Sequence, residues 1–88
     1  MPATPIFLYN VGDSYNKTCL IDTILIKGTT AVTDVFTLVD PTDSTKIIFD
    51  GNGSTLTFAM YPFPTGIQAP NGFKLQFKTI GSVCVYIR

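Results

Sequence analysis

Six aspartates, two cysteines and four tyrosines are the groups in this chain that could do chemistry; histidine is absent and so is glutamate. Histidine is the usual general base at neutral pH and the usual activator of a nucleophile, so its loss closes most routes to acid–base or nucleophilic catalysis. Cys84 has no histidine partner and is a poor nucleophile candidate. The aspartates fall in different turns and apolar runs, and no spacing pairs two of them as acid and base. Neither a G-x-x-x-x-G-K-[ST] nor a G-x-G-x-x-G phosphate-binding loop occurs. The expectation is that the chain is not an enzyme and uses no cofactor.

Metal sites fare no better. Cys19 and Cys84 are far apart, and a zinc site without histidine needs four cysteines or acidic help. Asp50-Gly51-Asn52-Gly53-Ser54 matches the start of a calcium loop, but Thr55 stands where the loop needs glycine and Tyr61 where it needs a bidentate glutamate. The stretch reads better as a tight hairpin turn. Asn16-Lys17-Thr18 and Asn52-Gly53-Ser54 are glycosylation sequons, which matter only in a secreted eukaryotic protein.

What remains is contact chemistry. Charged residues are 14% of the chain, against about 25% in an average soluble domain. Net charge is zero, with six acids against six bases; a protein that grips nucleic-acid phosphates would be basic. Low charge favours association, so part of the surface is expected to be covered by copies of the chain or by a partner. The alternative is a small β protein solvated by threonine and serine. Two stretches are candidates for such contacts. Tyr61, Phe63 and Ile67, set around Pro62 and Pro64, form an exposed apolar patch or else a loop folded over the open end of a sandwich. Ile6, Phe7, Leu8 and Tyr9 follow a proline-punctuated start; residues 1–5 read as an extended arm, and the stretch Pro2 to Tyr9 is expected to reach a neighbour. The start of the chain lacks a secretory signal and no apolar run approaches a membrane span, so synthesis and assembly in a cytosol, with no membrane partner, are expected.

These groups must be positioned by strands. In Asn71–Arg88, Phe73, Leu75 and Phe77 alternate with Lys74, Gln76 and Lys78; after Gly81-Ser82, Val83, Val85 and Ile87 alternate with Cys84, Tyr86 and Arg88. Period-two alternation means strands with one dry and one wet face, here read as a terminal hairpin. Upstream, Ile6–Asn10, Thr18–Lys27, Thr33–Asp40, Lys46–Phe49 and Thr55–Tyr61 read as further strands. They are separated by turn residues and by a proline-rich connection, Pro62–Pro70. Asp22, an acid within the most apolar run, sits at an edge, is paired, or faces a partner. Both cysteines read as buried thiols, with a disulfide between them as the alternative. No apolar periodicity of 3.6 persists over ten residues. The expected fold is therefore all-β over residues 1–88: a single small antiparallel sandwich or barrel, jelly-roll-like, of about seven strands with no significant helix. The expected inward set is Phe36, Leu38, Ile47, Phe49, Leu56, Phe58, Phe73, Leu75, Phe77, Val83, Val85 and Ile87.

The order of these elements resembles that of small virion proteins of tailed bacteriophages. The matching stretches are Ile21-Asp22-Thr23-Ile24-Leu25-Ile26-Lys27-Gly28, Val35-Phe36-Thr37-Leu38-Val39-Asp40, Lys46-Ile47-Ile48, Asn71-Gly72-Phe73 and Val83-Cys84-Val85-Tyr86. The resemblance implies a β-sandwich that binds the capsid exterior as a decoration or cement protein, or else a component of the neck or tail. Its implied partners are the major capsid protein and further copies of itself, as in a trimer, on a virion assembled in the host cytoplasm. No catalytic residue carries over. The rival reading from another class is a carbohydrate-binding module for host recognition, with Tyr9, Tyr15, Tyr61 and Phe63 as the aromatic platforms.

Overall fold

The alternation in the sequence resolves, in a computed structural model, into eight strands and no helix among the described residues, 4–28, 34–53, 58–79 and 81–88. They are β1 (Thr4–Leu8), β2 (Ser14–Tyr15), β3 (Cys19–Lys27), β4 (Val35–Asp40), β5 (Asp43–Asn52), β6 (Phe58–Ala69), β7 (Phe73–Lys78) and β8 (Ser82–Ile87). Two four-stranded antiparallel sheets, ordered β1-β8-β3-β6 and β2-β7-β4-β5, pack face to face. First strand pairs with eighth, second with seventh, third with sixth and fourth with fifth. This nesting is one long hairpin, folded at Pro41-Thr42 and rolled up: the jelly-roll order, in the sandwich class the alternation predicts.

Several elements differ from the sequence-based expectation. Strands β7 and β8 do not form a hairpin: β7 lies between β2 and β4, and β8 between β1 and β3 in the other sheet. Alternation identifies a strand and its dry face but carries no information about its partner. The extra strand is β2, a two-residue piece held by Ser14 opposite Lys74 and Tyr15 opposite Phe73, their rings stacked at 5.5 Å. Gly72, which opens β7, has φ of +87°, and a Cβ there would lie 1.7 Å from the Tyr15 carbonyl oxygen, so only glycine fits this join. The proline-rich stretch expected as a connection is strand as far as Ala69, because β6 is the edge of its sheet and a proline there costs no inner ladder bond. Asp50, Gly51 and Asn52, expected as a tight turn, are the end of β5. Of the expected arm over 1–5, Thr4 and Pro5 are already paired with β8, and residues 1–3 lie outside the described set. The expected strand starts at Thr33 and Thr55, and the expected core residue Leu56, also lie outside it.

The core between the sheets is built from Leu8, Ile21, Ile24, Ile26, Phe36, Leu38, Phe73, Leu75, Val83, Val85 and Ile87. Three residues expected inward instead face out. The pairings Leu38 with Leu75 and Thr37 with Phe77 leave Gln76 as an unmatched bulge residue, and the slip turns Phe77 to the outer face. Likewise Ile48 is the extra residue between the pairs Leu38–Phe49 and Val39–Ile47; Ile48 and Phe49 pack on the core while Ile47 is exposed. In β6 the parity is the reverse of the expected one: Ala59, Tyr61 and Phe63 pack on the core, and Phe58 and Met60 are exposed.

Candidate functional site: an apolar outer sheet face

The reversed parity of β6 follows from its aromatics. Turned inward, Tyr61 lies 5.1 Å from the Phe49 ring and 6.1 Å from Phe36, and Phe63 meets Phe49 edge-on at 5.2 Å. Such pairs contribute beyond their buried area. The Tyr61 hydroxyl also accepts a 2.8 Å bond from the Asn52 amide and donates to the Asn52 carbonyl, joining the edge strands of the two sheets. Tyr61 and Phe63 therefore close the sandwich, and Ile67 also packs partly against the core. The sequence left an exposed patch or a loop over the open end as alternatives; the stretch is instead part of the edge strand β6, with Tyr61, Phe63 and Ile67 partly buried.

Asp22, Asp40 and Asp43 serve a bulge and a turn. Asp22 is the unmatched residue of β3 between Ile21 and Thr23, and it receives Arg88 Nε at 2.9 Å and Nη2 at 2.6 Å on the same oxygen. Nη2 also donates to the carbonyls of Phe63 and Pro64, 3.2 and 3.0 Å away. Those carbonyls belong to the four residues of β6 that bulge opposite Asp22, so the pair clamps an irregular edge. Of the three alternatives for Asp22, it is the paired one. Asp40 Oδ1 accepts from the Thr42 hydroxyl and amide, and its Oδ2 from Asn71 Nδ2 at 3.1 Å; the hydrogen bonds from Thr42 are the main reason its carboxyl sits below the usual aspartate range. Asp43 is held down in the same way by Thr45. Among the described residues, no three His, Cys, Asp or Glu side chains come close enough to hold a metal ion. Cys19 and Cys84 are free thiols, and burial pushes both up from the ordinary thiol range.

The surface that departs most from an ordinary sandwich is the outer face of β1-β8-β3-β6. Antiparallel sheets usually carry a polar solvent face. Here, register places Phe7, Cys84, Leu25 and Met60 side by side across all four strands. The row on one side is Pro5, Tyr86, Thr23 and Pro62; on the other lie Ser82, Lys27 and Phe58, with Tyr9 just beyond the end of β1. Phe7, Tyr9, Phe58 and Met60 are all exposed, and the rings of Phe7 and Tyr9 lie nearly parallel, 6.1 Å apart. A shallow hollow opens on the β3–β6 side of the face, lined by Leu25, Lys27, Gly28, Phe58 and Met60.

The residues expected at an interface are thus divided by the fold. Phe7 and Tyr9 stand on this outer face, Leu8 points into the core at 1% exposure, and Ile6 packs partly against it. Leu25, Phe58, Met60 and Cys84 belong to the face without having been expected there. Leu25 carried a signal: β3 is apolar on both sides, which an outer face in water does not require. No protein-family model, curated protein or solved structure matches the chain.

Proposed function

We propose that this chain is a non-enzymatic structural protein that binds the exterior of a phage capsid and stabilises it, as a decoration or cement protein. The observation that supports the reading is the apolar outer face of β1-β8-β3-β6, a contact surface on a domain in which Asp22, Asp40 and Asp43 are engaged at a bulge and a turn. Phe7 and Tyr9 on one edge strand and Phe58 and Met60 on the other are exposed, with Cys84 buried and Leu25 partly buried between them; large apolar side chains gathered on one solvent face mark an interaction site. The opposite sheet offers smaller contacts at Ile47 and Phe77, so a copy held through one face keeps another for the shell. Repetition over a shell makes individually weak contacts count. The test is quantitative mass spectrometry of purified particles from the source. Copy numbers comparable to the major capsid protein are expected. A handful of copies moves the protein to the neck or tail, and complete absence overturns the virion reading.

A second reading is favoured by the stacked, exposed Phe7–Tyr9 pair, which could hold the face of a sugar ring. Of the platforms the sequence suggests, Tyr61 and Phe63 are turned to the core and Tyr15 lies on Phe73, leaving Tyr9. Glycan-array binding abolished by Tyr9→Ala would select this module over the capsid protein.

A further inference from the structure

We infer that Asn71 is a deamidation site that the fold holds shut, and that its modification keeps the β6–β7 turn from closing again. The two groups that must meet for the reaction are each bonded elsewhere in the folded chain, and the product sets a second carboxylate against Asp40.

Of the asparagines in the chain, Asn52 and Asn71 precede glycine. That dipeptide is the most labile setting for an asparagine side chain, because a glycine amide has no Cβ to hinder its attack. The Gly72 nitrogen gives up its proton to water or hydroxide and bonds to Asn71 Cγ; the Cγ–Nδ2 bond breaks and ammonia leaves, taking a proton back. Water then opens the five-membered imide at one of its two carbonyls, leaving aspartate or isoaspartate. The sum is amide plus water to acid plus ammonia, with no oxidant and no further reactant.

In the folded chain both partners are held. Gly72 is buried, and its N–H donates to the Ala69 carbonyl at 3.1 Å, closing a turn with Pro70 and Asn71 at its centre. The Asn71 amide reaches across to the β4–β5 turn instead: Nδ2 donates to Asp40 Oδ2 at 3.1 Å and lies 3.5 Å from the Thr42 hydroxyl oxygen. Asp40 is buried, and hydrogen bonds from Thr42 first and Asn71 next keep it ionised.

The same contacts make the product incompatible with the fold. An aspartate at position 71 has no N–H to give and brings a like charge to hydrogen-bonding distance of the Asp40 carboxylate. An isoaspartate adds a main-chain carbon next to Gly72, which at φ of +87° already lies hard against the Tyr15 carbonyl. A chain that opens for long enough to react therefore cannot rebuild this join, so modification of the open state makes opening irreversible. Asn52 is the internal comparison. Its glycine N–H is bonded to the Asp34 carbonyl, at the opposite end of the β4–β5 pair from Asp40.

The test is peptide mass spectrometry with isoaspartate detection on the full chain at neutral pH, folded and in urea. Both sites are expected to react alike in urea, and Asn71 about tenfold or more slowly in the folded chain, where reaction waits on local opening. Asp40→Ala is expected to speed reaction at Asn71 several-fold and leave Asn52 unchanged. Asn71→Asp should lower the urea midpoint, and adding Asp40→Asn to it should restore part of the loss by returning one donor and one carboxylate to the pair. If circular dichroism shows Asp40→Ala unfolded, Thr42→Val, which removes only the hydroxyl, takes its place. Equal rates at Asn71 with and without urea, or equal acceleration at both asparagines in the folded variant, overturns the inference. So does an Asn71→Asp chain as stable as wild type, or a double variant no more stable than Asn71→Asp alone.

Discussion

Gly51 is a strand residue because of its neighbour. It pairs with Phe36, and a Cβ at position 51 would lie 2.2 Å from Cε1 and 2.5 Å from Cζ of that ring. Phe36 is fully buried among Phe49 and Tyr61 and has no free space to yield. Gly51→Ala is therefore expected to destabilise the fold by about 1–3 kcal/mol, the usual range for overpacking. Urea unfolding should show a lower midpoint with an unchanged m-value. The carboxylates at the β4–β5 turn make a second residue-scale prediction. Hydrogen bonds from Thr42 and Thr45 stabilise the charged forms of Asp40 and Asp43, so both titrate lower in the folded chain than in the unfolded one. The unfolded state then binds protons first, and the contribution, complete above the ordinary aspartate pKa of about 3.9, is lost as pH falls through the lower folded values. The thermal midpoint should drop steeply below about pH 4. Asp40→Asn should lower the midpoint at neutral pH and shallow the acid slope; an unchanged slope would remove Asp40 from this account.

At the scale of the element, the bulges decide which side chains count. Leu75 and Phe77 are two positions apart on β7 and would share a face in a regular strand, yet Leu75 is fully buried and Phe77 is 48% exposed. Leu75→Ala is expected to cost about 2–5 kcal/mol, whereas Phe77→Ala should cost under about 0.5 kcal/mol, as surface changes usually do. Chemical denaturation of the two variants separates the bulged register from a regular one, in which the costs would be similar. The contrast also explains what was legible in the sequence. Strand identity and all-β class were, because alternation such as Phe73-Lys74-Leu75 is a local signal. A slip at Gln76 or Ile48 was not, because a bulge is a mismatch between two strands and neither carries it alone. The face of β6 was hidden for a related reason: Phe58 and Met60 are as apolar as Ala59 and Tyr61, so hydrophobicity could not choose between parities. Inward placement of Tyr61 is selected by Phe49, Phe36 and Asn52, which are distant in the chain. That same choice leaves Phe58 and Met60 exposed, which is why most of the candidate face was invisible to residue-by-residue reading, even though β3, apolar on both sides, hinted at it.

The whole molecule is a set of nested closures. Asp40 pairs with Asp43 across Pro41-Thr42, while Thr4 pairs with Ile87, so the innermost contact spans a turn and the outermost almost the entire chain. Strand order could not be read from the sequence because eight alternating segments are compatible with many pairings, and nothing local in β7 or β8 names its partner. The nesting nevertheless has a kinetic consequence. Closing a long loop costs entropy before its contacts form, so folds dominated by distant pairings fold slowly and from their most local contacts. The β4–β5 hairpin is expected to be formed in the folding transition state, and the β1–β8 pair to form after it. Asp40→Ala, which removes the acceptor of both Thr42 bonds and of the Asn71 bond, should then slow folding and leave unfolding nearly unchanged. Leu8→Ala, which empties a buried site on β1 at a cost of about 2–5 kcal/mol, should instead speed unfolding with little effect on folding. Stopped-flow chevrons of the two variants measure both rates. If Leu8→Ala slows folding in proportion to its full loss of stability, then the terminal strands are joined early, and the roll closes from its open end toward the turn.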